Sequence, residues 1–403
     1  MNRAVRIRLP AHETVLSSPA VSASWTGAAS GPFIPSPGPP PGPANLTTPI
    51  VRDGGYTVEA GQYLYSIDLP YLLQGDTNFI SPLINNGTIW STNNQPFSTY
   101  HSFTRYNNTR NVNNNGLMVL ETTAGLARTV GFSETGLANT GSIYILSRNN
   151  NYAAALESSL GGYFINSGLI AVQSLNSAAY GFVLDNGGAV LNQAGGSILV
   201  EGRSPIGIQM YNDGPVGLAG DQIRIVNDGR IEVRSLSLTP SIGIFLAHNV
   251  QPIEVTNSGL IVADYAFLSS FNATVAHPNI EHITNTSTGR IVGHFLLDRG
   301  DDVVTNDGAI TGFIFTEEGD DRVDTRNGTI NGVIDLGWGA DTFLGSSLGD
   351  RVAGDDGADR LEGFAGGDLL MGGSGDDVLI GGADADGLYG EYGNDRIVTL
   401  GGE

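Results

Sequence analysis

A nine-residue repeat near the C-terminus constrains this chain more than any other feature of its 403 residues. Seven consecutive segments run from Leu336 to Val398: LGWGADTFL, GSSLGDRVA, GDDGADRLE, GFAGGDLLM, GGSGDDVLI, GGADADGLY and GEYGNDRIV. The sixth position is aspartate in every segment: Asp341, Asp350, Asp359, Asp368, Asp377, Asp386 and Asp395. The eighth is always apolar: Phe343, Val352, Leu361, Leu370, Leu379, Leu388 and Ile397. This strict spacing predicts stacked turns joined by short strands whose apolar side chains enter a core.

The repeat also predicts where the aspartates lie. Glycines at positions one, two and four permit sharp turns, so eighteen residues form one coil with a turn at each of two edges. Asp341, Asp359, Asp377 and Asp395 then stack on one edge, and Asp350, Asp368 and Asp386 stack on the other. Like charges one strand spacing apart repel, which favours cations between the turns. A solvated acidic linker would explain the charge but not the apolar eighth position.

The oxygen chemistry of the turns indicates which ion fits. Carboxylate and carbonyl oxygens, about six or more around an ion in flexible geometry, favour Ca²⁺ over Mg²⁺ or Zn²⁺. The sequence therefore predicts several calcium ions, with the seven position-six aspartates as metal ligands.

These segments resemble the RTX, or haemolysin-type, calcium-binding nonapeptide, whose pattern is GGxGxDxUx. Gly372 to Ile380 matches that pattern at every defined position. The resemblance implies a calcium-dependent parallel β-roll in a bacterial protein exported through a type I secretion channel. It extends more weakly upstream through Asp302 and Asp321, where a Gly-Asp-Asp turn recurs. Two departures stand out: Leu348 replaces glycine at position four, which predicts a poor site at Asp350, and Asp384 occupies the same position in a later segment.

The middle of the chain repeats with a longer period. Ten motifs pair a glycine with an aliphatic residue two positions later, usually after asparagine, at intervals between 19 and 33 residues. Near-regular self-similarity of short Val/Ile/Thr-rich runs predicts stacked coils of a parallel β-helix. A sandwich or propeller also contains short strands but does not predict one pattern recurring in one register. The interior ladder is predicted to contain Ile89, Met118, Ile143, Ile170, Ile198, Ile231, Ile261, Ile291, Ile310 and Ile330.

These patterns together predict an all-β chain. A flexible Pro/Ala/Ser-rich extension is predicted over residues 1–50, and a right-handed parallel β-helix over residues 51–335. The helix is predicted to continue into a C-terminal calcium-bound parallel β-roll over residues 336–403. The asparagines before the glycines should stack at one corner, each amide bonding the next coil. Only Tyr152 to Leu160 could form a short helix.

Charge and composition exclude several functions. The chain has 41 acidic residues against 19 basic ones, all arginine, and no cysteine. Residues 297–403 hold 24 acidic residues and six arginines, so most of the net charge of −22 lies there. This balance argues against nucleic-acid partners, and the absence of lysine and cysteine excludes Schiff-base and thiolate chemistry. No apolar run is long enough for a transmembrane helix.

A search for catalytic patterns finds none that stands out. The six histidines do not form HExxH, and His277, His282 and His294 do not have the spacing of a helical zinc pair. No nucleophile elbow or phosphate loop is present. We therefore expect a secreted or cell-surface calcium-binding protein that is not an enzyme, with the β-helix as a stalk or adhesive surface for extracellular glycans. The alternative is a polysaccharide lyase or epimerase, for which Tyr265, His248, Arg230 and Asp228 are the candidate residues.

Overall fold

The computed structural model describes most of the chain downstream of Ala44. The described residues are 45–46, 50–51, 56–67, 71–74, 83–93, 101–105, 111–122, 127–131, 135–148, 152–158, 162–185, 188–211, 223–247, 252–270 and 280–399. The predicted extension over residues 1–50 lies almost entirely outside them.

Every regular element in the described residues is a β-strand. The strands are β1 (Asn45–Leu46), β2 (Ile50–Val51), β3 (Tyr56–Val58), β4 (Tyr63–Ile67), β5 (Tyr71–Gln74), β6 (Leu83–Asn85), β7 (Thr88–Asn93), β8 (His101–Arg105), β9 (Asn111–Asn114), β10 (Leu117–Thr122), β11 (Ala127–Gly131), β12 (Thr135–Asn139), β13 (Ser142–Ser147), β14 (Ala153–Ser158), β15 (Gly162–Asn166), β16 (Leu169–Ser174), β17 (Ala178–Asp185), β18 (Ala189–Asn192), β19 (Ser197–Gly202), β20 (Ser204–Tyr211), β21 (Ile223–Asn227), β22 (Arg230–Ser235), β23 (Ile242–Ala247), β24 (Ile253–Asn257), β25 (Leu260–Ser270), β26 (Glu281–Asn285), β27 (Arg290–Leu296), β28 (Val303–Asn306), β29 (Ala309–Thr311), β30 (Ile314–Phe315), β31 (Arg322–Asp324), β32 (Thr329–Asn331), β33 (Ile334–Asp335), β34 (Thr342–Leu344), β35 (Arg351–Asp356), β36 (Arg360–Ala365), β37 (Leu369–Ser374), β38 (Val378–Ala383), β39 (Gly387–Tyr392) and β40 (Arg396–Val398).

Two parallel sheets contain these strands. A fifteen-stranded sheet takes one strand from each coil, in chain order from β3 to β40. A 25-stranded sheet takes the remaining strands, two per coil in most of the upstream part and one per coil from β35 onwards. The all-β prediction of a parallel β-helix continuing into a β-roll is therefore confirmed. The prediction of a possible short helix over Tyr152 to Leu160 is wrong for the described part of that segment. Strand β14 occupies Ala153–Ser158, where Ala154 and Leu156 pair with Tyr180 and Phe182 of the next coil.

The coil shortens toward the C-terminus without any break in the sheet. Asn227 pairs with Asn257, thirty residues on, whereas Asn285 pairs with Asn306, 21 residues on. From Phe343 each partner is eighteen residues away. The fifteen-stranded sheet crosses the predicted boundary at residue 335 with β31 paired to β34. The roll is therefore a narrower continuation of the same coil.

The core is built from in-register ladders of apolar side chains. The predicted interior ladder from Ile89 to Ile330 pairs residue for residue along the 25-stranded sheet, and its members are buried. In the roll, the position-eight residues Val352, Leu361, Leu370 and Leu379 are fully buried. Each coil thus covers the apolar face of its neighbour, which is the main stabilising term in a stacked fold.

A ladder of asparagines lines one corner of the upstream coils. Nine residues form this asparagine ladder: Asn85, Asn114, Asn139, Asn166, Asn192, Asn227, Asn257, Asn285 and Asn306. The side-chain amide of each donates to Oδ1 of the next at 2.7–2.8 Å. Asn306 ends the series by donating to the Thr325 hydroxyl (3.0 Å). Buried amides are satisfied here by one another, without any ion.

None of the described residues forms a helix that could cross a membrane.

Candidate metal centre

The repeats place a six-residue turn at each edge of the roll. One kind of turn leads from the 25-stranded sheet into the fifteen-stranded sheet and ends at Asp341, Asp359, Asp377 or Asp395. Positions two and four of these turns have positive φ, for example 108° at Gly373 and 143° at Gly375. Positive φ favours glycine, yet Asp355 and Glu391 also adopt it at position two, at 70° each.

The aspartates at the ends of these turns form a continuous series, which we call the first acidic ladder. The main-chain N–H of Asp341 donates to Oδ1 of Asp359 (2.8 Å), that of Asp359 to Asp377 (2.9 Å), and that of Asp377 to Asp395 (3.1 Å). The structure therefore brings together the four residues predicted for this edge. Each hydrogen bond uses one oxygen of a carboxylate and fixes the side chain one coil away.

The first acidic ladder extends further upstream than the strong repeats. The N–H of Asp321 donates to Asp341, that of Asp302 to Asp321, and that of Glu281 to Asp302, each at 2.7 Å. Asp302 and Asp321 carry a visible signal, the Gly-Asp-Asp turn. Glu281 carries none, and sequence reasoning missed it, because only the register of β26 beside β28 brings it to this edge.

Three aspartates form a second acidic ladder on the opposite edge. The N–H of Asp350 donates to Oδ1 of Asp368 (2.8 Å), and the N–H of Asp368 donates to Oδ1 of Asp386 (3.0 Å). These turns connect a strand of the fifteen-stranded sheet to the next strand of the 25-stranded sheet, as the asparagine ladder does upstream. All seven predicted metal ligands thus lie in the two stacks in which the spacing of the repeat places them.

Position-one glycines make room for the second carboxylate oxygen. A Cβ built on Gly354 would lie 2.2 Å from Oδ2 of Asp359, and one on Gly372 would lie 2.3 Å from Oδ2 of Asp377. The same clash occurs at Gly363 with Asp368, at 2.0 Å. No side chain fits at these positions without displacing the carboxylate. Glycine at position one therefore seats the aspartate five residues later in its own repeat.

The second carboxylate oxygens are buried and have no donor. Within the described residues, no hydrogen bond reaches Oδ2 of Asp302, Asp321, Asp341, Asp359, Asp368 or Asp377, or Oε2 of Glu281. All seven side chains are at most 3 % exposed. A buried carboxylate oxygen without a partner is costly, because it has lost its water and gained nothing in return. These atoms are therefore the places where a cation, or a proton, is required.

Burial makes the carboxyl groups hold protons when no ion is bound. It raises the pKa of Asp341 to about 8 and those of Asp321 and Asp359 to about 7. It raises the pKa of Asp368 to about 6. Neighbouring carboxylates add to the shift, whereas the main-chain hydrogen bond to each Oδ1 opposes it. Burial also raises the pKa of Asp302 and of Glu281, which lie close enough to repel each other when both are ionised.

Asp350 differs from the other ladder members. Its Oδ2 accepts the main-chain N–H of Ser346 (2.7 Å), so this oxygen has an internal partner. Leu348, which replaces glycine at position four, lies mostly exposed beside it. The turn thus satisfies its own carboxylate, which gives a physical reason to expect weak ion binding at Asp350. Asp384, the other departure, adopts a positive φ of 77° at position four and keeps the usual turn shape.

A metal site here needs ligands other than acidic side chains. In the part of the chain that the structure describes, no three acidic or histidine side chains converge on one point. A site would therefore use carboxylates of neighbouring turns together with main-chain carbonyl oxygens. That donor set is entirely oxygen, which suits Ca²⁺.

Among the described residues considered for catalysis, the side chains contact separate neighbours. Arg230 forms an ion pair with Glu232, and the carboxylate of Asp228 accepts the Ser258 hydroxyl. Tyr265 packs edge-on against His294. His282 lies on the fifteen-stranded sheet, where its Nδ1 is 2.8 Å from Oε1 of Glu254. His248 and His277 lie outside the described residues.

The stacked turns and acidic ladders define a calcium-binding β-roll. In agreement, a protein-family model for the RTX calcium-binding nonapeptide repeat, in four copies, matches residues 344–379 and 371–403. The chain therefore carries RTX calcium-binding repeats, and these indicate Ca²⁺ as the ion. No curated protein and no solved structure matches the chain.

Proposed function

We propose that the chain is a secreted calcium-binding protein in which Ca²⁺ drives folding of the acidic C-terminal roll after export. The observation that carries this proposal is that Asp341, Asp359, Asp368 and Asp377 are buried, each with Oδ1 held by a main-chain N–H of the preceding coil and Oδ2 without a donor among the described residues. In the unfolded chain these oxygens are hydrated. Folding removes the water, so an ion that replaces it links binding to folding.

The chain's own residues would hold the ion in a defined way. Asp341, Asp359, Asp377 and Asp395 would supply carboxylates on one edge, and Asp368 and Asp386 on the other. Position-one glycines leave space for the Oδ2 of Asp359, Asp368 and Asp377, and main-chain carbonyl oxygens of the turns would complete the donor set. The bound ion would neutralise the like charges of stacked turns. Extracellular calcium modules typically bind at about 10⁻⁴ to 10⁻³ M, which suits a switch that responds to leaving the cytosol.

The second part of the proposal concerns the cellular location of the protein and the role of its β-helix. The RTX repeats are typical of bacterial proteins exported by type I secretion, which supports an extracellular or cell-surface location. We propose that the β-helix is a stalk or an adhesive surface for extracellular glycans, without enzymatic activity. Incubation of the purified protein with uronate polymers tests this: new double-bond absorbance, or epimerised residues in proton NMR spectra, would contradict the non-enzymatic role.

Hydrogen exchange on the full chain tests the folding switch. Calcium should slow amide exchange in peptides covering residues 342–399 relative to EGTA, because the ladder N–H groups become protected only when the turns are stacked. Peptides from residues 223–247, which belong to the asparagine-ladder coils, provide the internal reference and should not change. Equal exchange in the roll with and without calcium would contradict the proposal.

A matched pair of variants tests whether the first acidic ladder is responsible for calcium-dependent folding. Asp359→Asn keeps the side-chain shape but removes the charge of a ladder member. It should raise the calcium concentration at the folding midpoint about tenfold, since a lost charged partner costs on the order of 1.5 kcal/mol. Asp356→Asn removes the same charge from an exposed side chain three residues away and should leave the midpoint nearly unchanged. Equal midpoints for the two variants would contradict a ligand role for Asp359.

A further inference from the structure

The coils just upstream of the matched repeats contain turns of the same construction. Residues 297–302 and 316–321 lead from the 25-stranded sheet into the fifteen-stranded sheet, as the turns of the roll do. Gly300 and Gly319 have φ of 136° and 152° at position four. The third positions pair in one continuous series, Arg299 with Glu318, Glu318 with Trp338, and Trp338 with Asp356. The turn stack on this edge thus starts three turns before the family match, which begins at residue 344.

These two turns depart from the GGxGxDxUx pattern at position one and also at position two, which Asp298 and Glu317 occupy. They begin with Leu297 and Thr316 where the matched repeats have glycine, and their spacing is 19 and 20 residues. Both first residues are fully buried. The Thr316 hydroxyl lies near Asp321, where it opposes the rise in the pKa of that residue, but it donates to the carbonyl oxygen of Leu336 (2.7 Å). The Asp321 Oδ2 therefore keeps no donor.

The carboxylates of these two turns are as buried as those of the roll. Asp302 is 0 % exposed and Asp321 is 2 % exposed, and the Oδ2 of each accepts no N–H or O–H within the described residues. The side chain of Asp302 also lies within hydrogen-bond reach of the Glu281 carboxyl group. The Oδ1 atoms of Asp302 and Asp321 already accept main-chain N–H groups at 2.7 Å. The neighbouring arginine, Arg299, pairs with the outward-facing Glu318 at 2.8 Å. Two buried carboxylates one coil apart, each with one oxygen left over, require a counter-charge.

We propose that two further calcium sites lie upstream of the matched repeats. One lies between turns 297–302 and 316–321, and the other lies between turns 316–321 and 336–341. Their carboxylate ligands are Asp302, Asp321 and Asp341. This inference rests on the proposed calcium-binding function and extends it into coils that the family model does not match. The main-chain carbonyl oxygens of the two turns complete an all-oxygen donor set. Asp321 belongs to both sites, so its loss affects both.

Calcium stoichiometry of the full chain, measured by equilibrium dialysis with radioactive calcium, tests the proposal. Asp321→Asn should lower the number of bound ions by about two, since one carboxylate serves two sites. Asp320→Asn is the matched control, because it removes the same charge from the adjacent, exposed residue. An unchanged count for Asp321→Asn, with a lowered count for Asp359→Asn, would overturn this inference and leave the proposed function intact. No calcium bound by the unmodified chain would overturn both.

Hydrogen exchange of the unmodified chain provides a second measurement that does not depend on whether a variant folds. Calcium should protect the amides of peptides covering residues 297–324, as well as those of the roll. Calcium protection that begins only downstream of residue 336 would show that Asp302 and Asp321 are neutralised by protons alone, and would overturn the proposal.

Discussion

Position one is glycine in six of the seven repeats, all but the one that begins at Leu336, for a steric reason within the same repeat. The carboxylate five residues later folds back so that its Oδ2 lies where a Cβ would be, 2.3 Å away at Gly372. The nine-residue spacing predicts the stack of aspartates, but it does not predict that the two oxygens of each carboxylate have different roles. Oδ1 accepts the main-chain N–H of the preceding coil, and Oδ2 is left for a counter-charge. The register of the coils determines which of the two oxygens accepts the main-chain N–H.

Replacing Gly372 should therefore impair calcium-dependent folding. In Gly372→Ala the added methyl group displaces Oδ2 of Asp377, so the calcium midpoint should rise about tenfold or more, a cost on the order of 1.5 kcal/mol. Gly367→Ala is the control: its added Cβ would have its nearest neighbour 3.2 Å away, at the carbonyl oxygen of Ala385. Calcium titration followed by hydrogen exchange of the roll measures both. Similar midpoints for the two variants would contradict the steric argument.

Two kinds of ladder hold the coils together at the level of strands and turns. The asparagine ladder pairs neutral donors with acceptors, so every buried amide is satisfied by the next coil. The acidic ladders have acceptors but too few donors. The coils with amide ladders should therefore fold without ions, and those with acidic ladders should need them. The second acidic ladder occupies the same edge of the coil as the asparagine ladder, downstream of Asn306 and Thr325, whereas the first acidic ladder lies on the opposite edge.

Much of this arrangement could be predicted from sequence because each coil repeats one pattern in one register. The interior ladder and the two stacks of aspartates follow from periodicity alone. Glu281 and the β14 strand could not be predicted in this way. Glu281 reaches the ladder through the pairing of β26, and β14 adopts a strand because its neighbours on both sides are strands. Both depend on contacts between coils, which a local pattern does not contain.

Breaking the asparagine ladder should destabilise the β-helix with or without calcium. Asn114→Ala removes a side chain that bonds both Asn85 and Asn139 at 2.7 Å and leaves their buried groups unpaired, which should cost on the order of 3 kcal/mol. Asn115→Ala removes an exposed neighbour that bonds Asn86 and Thr140, and it should cost less than about 1 kcal/mol. Thermal unfolding in EGTA and in calcium measures both variants. A larger loss for Asn115→Ala would contradict the assignment of the ladder as a structural element.

The whole molecule joins a neutral coil to an acidic one through a single continuous sheet. Residues 1–296 carry a net charge of −4, whereas residues 297–403 carry −18. Because β31 pairs with β34 across the predicted boundary, the upstream coils present an ordered edge on which the roll can stack. Charge repulsion opposes that stacking until the carboxylates are neutralised. Calcium and protons are the two means of neutralising them, so they should compete.

The stability of the roll should therefore depend on pH in opposite ways with and without calcium. Without calcium, folding raises the pKa of Asp341 from 3.8 to about 8 and that of Asp359 to about 7. The folded roll then binds more protons than the unfolded chain. The stabilisation of the folded roll by these protons is complete below about pH 4 and is lost as the pH rises through 7 to 8. With calcium the ligands must be deprotonated, so the calcium midpoint should fall as the pH rises from about 5 to 8. Hydrogen exchange of residues 342–399 across this range, in EGTA and in calcium, measures both trends, with residues 223–247 as the internal reference. Protection that increases with pH in EGTA would contradict the assignment of these buried carboxyl groups as the proton acceptors.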